Sequence, residues 1–367
     1  MAMLNSFQTS GHKIDAINGL RGLAALMVIY FHSLFPVILN LTGFDWIIRH
    51  GWMGVNLFFM LSGFVLYRPY YTGKRTFANR QDIWLFYRHR FLRLYPLFAF
   101  NLLVCLLFLE PVTVERLHTF LITLFGLSSF SQLHLLPPLN PVLWSLAVEI
   151  WFSLLFPFIV LAIHRFGFKL VWAAVMLLAL LTRMAGMFYL NPNVDISILR
   201  DSLPGRLDDF LMGMLLLRLY YQYNGFGLLS VKGMWVISFL SISFLLTGFI
   251  GWDFTIQGMY TWYTLPLLNN FIQVGFMSLV VMALKEHSLF NKIFSLWPLQ
   301  VTGMMCFSLY IWHYLLVSRF QLPIPFVVNY IGYLMGTYSL AAFTYRYIEF
   351  GHVRDYKKLF LLTHKNP

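Results

Sequence analysis

The sequence predicts an all-α fold: a polytopic transmembrane helical bundle of about ten spanning helices plus one re-entrant or interfacial segment, with both termini cytoplasmic. Three observations predict it. Of 367 residues, 59% are hydrophobic and only 11% are charged, against about 25% charged in a soluble domain, and the mean hydropathy is +0.70. The apolar runs are far longer than the ~10 residues of a membrane β-strand, which argues against a barrel. The basic residues behind the net charge of +12 gather in short loops on one side of the expected spans, as the positive-inside rule requires. The positive balance therefore reports topology, and no nucleic-acid partner is expected.

The expected spans run over 15–39, 52–71, 92–110, 142–163, 170–190, 205–223, 234–251, 263–284, 298–319 and 326–346. Each is near the ~20 residues that cross the hydrocarbon. Between the third and fourth lies an apolar stretch, Leu117–Phe130, that is short and interrupted by Ser and Gly. It reads as re-entrant or interfacial. With ten spans and a cytoplasmic N-terminus, all but six of the 26 basic residues fall on the cytoplasmic side, the six being Arg49, Arg116, Arg183, Arg200, Arg206 and Arg319. An eleventh span would reverse every later loop and spoil that asymmetry. The first span is too long for a signal peptide, carries Arg21 and His32, and lacks a small-x-small cleavage site. No soluble domain, linker or repeat is visible, so residues 1–367 read as one transmembrane domain. Cys105 and Cys306 lie in apolar segments and read as small core hydrophobes.

Ionisable groups inside membrane helices are costly and mark candidate sites. Arg21 and His32 stand eleven residues apart in the first span, which leaves them ~20° apart around the axis and ~16 Å apart along it. Both can line one interior path, the arginine near one face of the membrane and the histidine near mid-depth. Arg90 and Arg93 enter the third span three residues apart and share a face, an arrangement able to grip phosphates by bidentate hydrogen bonds. Lys74, Arg75 and Arg80 read as a topology signal that meets anionic headgroups.

In the second span Gly54, Ser62 and Gly63 serve either close helix packing or substrate approach, with Asn56 and Ser62 adding polar groups. Glu149, near the outer face, either pairs with an intramembrane arginine or joins the chemistry. Asp208 and Asp209 fit the first turn of a helix, where negative charge complements the dipole. Tyr310 and His313 share a face of the ninth span, and the histidine is either an interhelical hydrogen-bonder or a site residue. Glu349 reads as a partner of Arg346 or of the basic loops. No run has metal-ligand spacing, a nucleophile elbow or a phosphate-binding glycine loop.

These stretches together resemble the acyltransferase-3 family of integral membrane O-acyltransferases, from Ile14 to about Glu349. Arg21 and His32 match its first-helix motif and Gly54-Val55-Asn56-Leu57-Phe58-Phe59-Met60-Leu61-Ser62-Gly63-Phe64 its second-helix signature. Arg90 and Arg93 ahead of Pro96 match its arginine motif, Trp144-Ser145-Leu146-Ala147-Val148-Glu149 a central one, and Ser308-Leu309-Tyr310 with His313 a late one. Two positions depart: Asn56 stands where Asp is frequent, and His89 where a further arginine is frequent.

The resemblance implies transfer of an acyl group, usually acetyl, from acyl-CoA to a hydroxyl, often of a surface glycan such as lipopolysaccharide O-antigen or exopolysaccharide. His32 is then the expected general base, with Arg21 and Glu149 beside it in the chemistry. Arg90, Arg93 and Arg21 are expected to hold the phosphates of acetyl-CoA. Ser62, Asn56, Tyr310 and His313 are the expected acceptor-side residues. The expected partners are acyl-CoA, a glycan or lipid-linked glycan and membrane lipids, in the inner membrane, with no metal; the oligomeric state stays open. The other reading is a transporter or flippase of an anionic or lipid-linked substrate, in which the same buried charges would be relay groups.

Overall fold

The computed structural model describes residues 15–33, 48–108, 111–189, 197–256, 265–317 and 326–349. Among them every regular element is helical. The chain forms α1 (Asp15–His32), a tight turn at Gly51–Met53 leading into α2 (Gly54–Tyr71), α3 (Arg80–Phe108) and α4 (Val114–Leu124). It continues with α5 (Leu143–Phe166), α6 (Phe168–Tyr189), a single turn α7 (Ile198–Asp201), α8 (Leu203–Gln222), α9 (Val231–Ile256) and α10 (Leu265–Leu284). Then come α11 (Leu289–Phe294), α12 (Trp297–Met304), α13 (Cys306–Val317) and α14 (Phe326–Thr344), closed by a π-helical turn over Tyr345–Glu349. Among the described residues, α3, α5, α6, α9 and α10 are long and apolar enough to cross a membrane. This is a multi-pass membrane protein.

Most expected spans fall on a helix. Residues 34–39 of the first span and 318–319 of the ninth, Arg319 included, lie outside the described residues. Two spans differ in kind. The third begins at Arg80 rather than at 92, because Asn79 and Asp82 cap it reciprocally. Asn79 Oδ1 accepts from the Asp82 N–H at 2.9 Å, and Asp82 Oδ2 accepts from the Asn79 and Ala78 N–H groups at 3.3 and 3.0 Å. The 29 residues of α3 reach ~43 Å, more than the ~30 Å of hydrocarbon, so Arg80, Arg88, Arg90 and Arg93 sit on a helix and not in a loop. The ninth span is two helices, α12 and α13, interrupted at Met305. The Leu117–Phe130 stretch is the eleven-residue α4 followed by a short turn at Leu127–Phe130; ~17 Å of helix cannot cross the hydrocarbon.

Close backbone packing sets the arrangement around the site. α2 and α8 run parallel: Asn56 meets Asp209, Met60 meets Gly213, and Arg68 meets Tyr221, each pair 153 residues apart. They approach so closely that a Cβ on Gly63 would overlap the Phe210 carbonyl, and one on Gly213 the Met60 carbonyl. Gly54 packs in the same way on Ala24 of α1. The glycines of the second span are thus packing residues. Phe59, Phe152 and Phe210 stack in the core between α2, α5 and α8, with ring centroids 3.8 and 4.7 Å from Phe210. On the other side α1 lies against α12, where Gly303 touches the backbone of Asn18. α13 follows α1 up to His32.

Candidate active site

His32 is the last residue of α1 and lies half-buried against α13. Its Nδ1 is 3.0 Å from the Val28 carbonyl and 3.3 Å from His313 Nε2. His313 is fully buried, and its own Nδ1 is 2.7 Å from the Tyr310 carbonyl. A carbonyl only accepts, so the facing ring nitrogen carries the proton in each case. Both imidazoles are therefore Nδ1–H tautomers, and His313 Nε2 accepts from His32 Nδ1–H. The lone pair of His32 is left on Nε2. Tyr314 meets the His32 ring edge-on at 5.2 Å and Phe31 at 4.7 Å, which holds the imidazole in an aromatic frame. One helical turn before His313, the Tyr310 hydroxyl lies 2.6 Å from Ser145 Oγ and donates to the Val142 carbonyl at 3.0 Å.

Two arginine–carboxylate pairs lie elsewhere in the same bundle, Glu149 one helical turn beyond Ser145 and Arg93 near Arg21. Arg90 donates to Glu149 Oε1 and, through Nε, to Ser153 Oγ at 3.0 Å; Ser62 Oγ donates to the same carboxylate oxygen at 3.2 Å. Arg93 donates to Glu349 Oε1, while Ser308 Oγ donates to Glu349 Oε2 at 2.7 Å. Glu349, at the end of the π-helical turn, thus pairs across the bundle with Arg93 rather than with Arg346 in its own turn. Arg21 acts electrostatically on Arg93 and Tyr345 and has no hydrogen-bond or ion-pair partner among the described residues. Three guanidinium groups face two carboxylates, so the cluster keeps one positive charge of excess.

A second polar cluster joins α2, α6, α7, α8 and α10. Asn56 Nδ2 donates to Asp209 Oδ1 at 3.1 Å and to Asn269 Oδ1 at 2.5 Å. Gln273 Nε2 donates to Asp209 Oδ1 at 2.9 Å. Arg206 bonds Asp201 Oδ1 at 2.5 Å and Asn269 Oδ1 at 2.9 Å. Arg183 pairs with Asp208 Oδ2 at 2.8 Å and donates to the Gly205 and Pro266 carbonyls at 2.8 and 3.1 Å. Asp208 and Asp209 are fully buried in the second turn of α8. Their stabilisation comes from arginines and amides rather than from the helix dipole, since α8 starts earlier than the sequence suggests.

The structure brings together His32 with His313, Tyr310 with Ser145, Ser62 with Glu149 and Arg90, and Arg21 with Arg93. It does not bring Asn56 to them; that side chain belongs to the second cluster. Glu149 is paired with Arg90, one of the two arrangements its sequence position allows. Sequence reasoning assigned no role to Ser145, Ser153, Ser308, Arg183, Asn269 or Gln273. Asn269 and Gln273 had a signal, being polar residues four apart in an apolar helix. Arg183 had one too, as a charge inside the expected span 170–190, although the sequence reading counts it only among the six basic residues off the cytoplasmic side.

The described residues thus form a helical membrane bundle that holds a paired imidazole and an arginine–carboxylate cluster in its interior. A family model described as an acyltransferase domain matches residues 14–346, and the chain belongs to that family. The O-acetyltransferase OatA of Staphylococcus aureus is 26% identical over 368 residues, covering 92% of this chain and 56% of the relative. The peptidoglycan O-acetyltransferase OatA of Listeria monocytogenes is 26% identical over 371 residues, covering 92% and 55%. The chain spans about half the length of the curated relatives it matches. No solved structure matches it.

Proposed function

We propose that this protein is a membrane O-acyltransferase that moves an acetyl group from acetyl-CoA to a hydroxyl of a cell-surface glycan. The observation that carries the reading is the His32–His313 pair. A sugar hydroxyl is a poor nucleophile, and the unprotonated Nε2 of His32 can take its proton as the oxygen attacks the thioester carbonyl. The C–O bond forms, the C–S bond breaks, and the proton passes from His32 to the leaving sulfur. While His32 holds that proton, its Nδ1–H still faces two acceptors, the Val28 carbonyl and His313 Nε2, which stabilise the imidazolium. The excess positive charge of Arg21, Arg90 and Arg93 suits the phosphates of the donor, with Arg21 best able to engage them because the other two already hold carboxylates.

Family membership favours this reading over a transporter. The Listeria relative is named for peptidoglycan, which joins O-antigen and exopolysaccharide as an acceptor to be tested. In this reading the protein lies in the inner membrane with about ten spans, both termini in the cytoplasm, and cytoplasmic acetyl-CoA. The test is transfer of labelled acetyl from acetyl-CoA to the three glycans by purified protein. The expected result is transfer to one of them and loss of at least ~10²-fold in His32→Ala at unchanged membrane expression. Near-normal turnover by that variant sinks the assignment.

A further inference from the structure

Six side chains form a continuous strip from the Gly51–Met53 turn, α5, α7, α8 and α9. The Trp52 and Trp252 rings lie 4.7 Å apart. The Arg200 guanidinium sits 5.0 Å from the Trp252 ring. Arg200 pairs with Asp201 at 2.8 Å, and Asp201 with Arg206 at 2.5 Å. Arg206 in turn lies 5.9 Å from the Trp144 ring. Aromatic planes thus bracket a run of alternating charge. The strip has a reachable layer and a foundation. Trp52, Trp144 and Trp252 are half-buried and the Arg200 side chain is 14% exposed, whereas the Asp201 and Arg206 side chains are 3% and 7% exposed. Beside the tryptophans, Asp253 is 34% exposed and its Oδ1 lies 3.1 Å from Nε2 of the buried His50.

We propose that this strip is the acceptor-binding face and that it takes a pyranose chain; this rests on the glycan-acceptor reading above. A pyranose offers an apolar C–H face and a rim of hydroxyls. The C–H face packs on the electron-rich face of an indole. Hydroxyls fit groups that both donate and accept, and Arg200 with Asp253 supply the two kinds. A lipid-facing role fits less well: Trp235, for comparison, is 73% exposed, whereas the strip's tryptophans are half-buried beside the Arg200–Asp201–Arg206 ion pairs. The strip also leads to the reaction centre. Trp144 precedes Ser145, whose hydroxyl touches Tyr310, and Tyr310 is one turn from His313. Phe58 packs on the Tyr310 ring at 5.9 Å and Phe59 on Trp144 at 6.5 Å, closing the space between strip and imidazoles.

The test measures binding of soluble oligosaccharides cut from peptidoglycan, O-antigen and exopolysaccharide to the purified full chain in nanodiscs, without acyl donor. Trp52→Ala and Trp252→Ala are expected to weaken the best binder by about tenfold or more, the scale of losing a buried aromatic anchor. Trp235→Ala serves as the control and is expected to bind as the parent does. His32→Ala is expected to keep binding while losing transfer, so a failure of the chemistry and a failure of the strip are told apart. The proposal is overturned if no oligosaccharide binds the parent protein. It is equally overturned if the strip variants match the parent in affinity, or if they lose only association with anionic-lipid nanodiscs.

Discussion

At the scale of single residues, the decisive feature is which nitrogen of His32 is free. A histidine at the end of a membrane helix can be a satisfied hydrogen-bonder or a base, and two contacts separate these. The Val28 carbonyl and His313 both sit at Nδ1, 3.0 and 3.3 Å away, leaving Nε2 for chemistry. In the proposed reaction His313 acts through His32, as a positioning residue. Its removal is expected to lower kcat by about 10²-fold, within the range for a perturbed general base, with little change in KM for acetyl-CoA. Gln at 313 retains an acceptor for His32 Nδ1–H and is expected to restore part of kcat, whereas Leu is not. A purely structural role would make both variants fail together in expression and thermal stability. Steady-state kinetics of His313→Gln and His313→Leu, with melting curves alongside, check this.

At the scale of elements, α2 reaches both polar clusters and packs along α8, which belongs to the second. Asn56 and Ser62 on α2 point to different centres because six residues of helix turn them well apart around the axis. The pair depends on Gly63 and Gly213, where backbones touch without side chains between them. Gly213→Ala is expected to force the helices apart and to cost ~1–3 kcal/mol, as over-packing does. A lowered Tm in detergent, with loss of activity in proportion to loss of folded protein, is the measurement; an unchanged Tm contradicts the close approach. The sequence marked Gly63 but neither Gly213 nor the backbone each glycine touches. It also ran α12 and α13 together and began α3 too late, since hydropathy records what is apolar and not where a cap or a break lies.

For the whole molecule, the question is how a bundle in a low-dielectric setting tolerates so many buried charges. In the second cluster each one has a partner: Arg183 with Asp208, Arg206 with Asp201, and Asp209 with Asn56, Gln273 and Arg206. Breaking one such pair strands a charge. Asp208→Ala leaves the Arg183 guanidinium without its carboxylate and is expected to destabilise the fold by about 3–5 kcal/mol. Replacing both, Asp208→Ala with Arg183→Met, is expected to recover much of that. Thermal unfolding of the two single variants and the double variant gives the coupling; additive losses contradict a direct pair. The network is ion-paired throughout but not fully hydrogen-bonded: Asn56 Oδ1 and Arg206 Nε are buried with no hydrogen-bond partner among the described residues.

The sequence by itself determined the membrane class, most of the helices, the family and the identity of its rare intramembrane charges. Hydropathy and 3.6-residue periodicity are local, and they survive in one dimension. Only the tertiary structure decided who pairs with whom. His32 and His313 are 281 residues apart, Arg93 and Glu349 256, Asn56 and Asp209 153, and Arg90 and Glu149 59. Such choices follow from how helices cross and where their backbones touch, which no local pattern encodes. The chain alone therefore names a candidate base and an arginine cluster. Their tautomer, their counter-ions and the separate cluster that claims Asn56 follow from the packing of α1 on α12 and of α2 on α8.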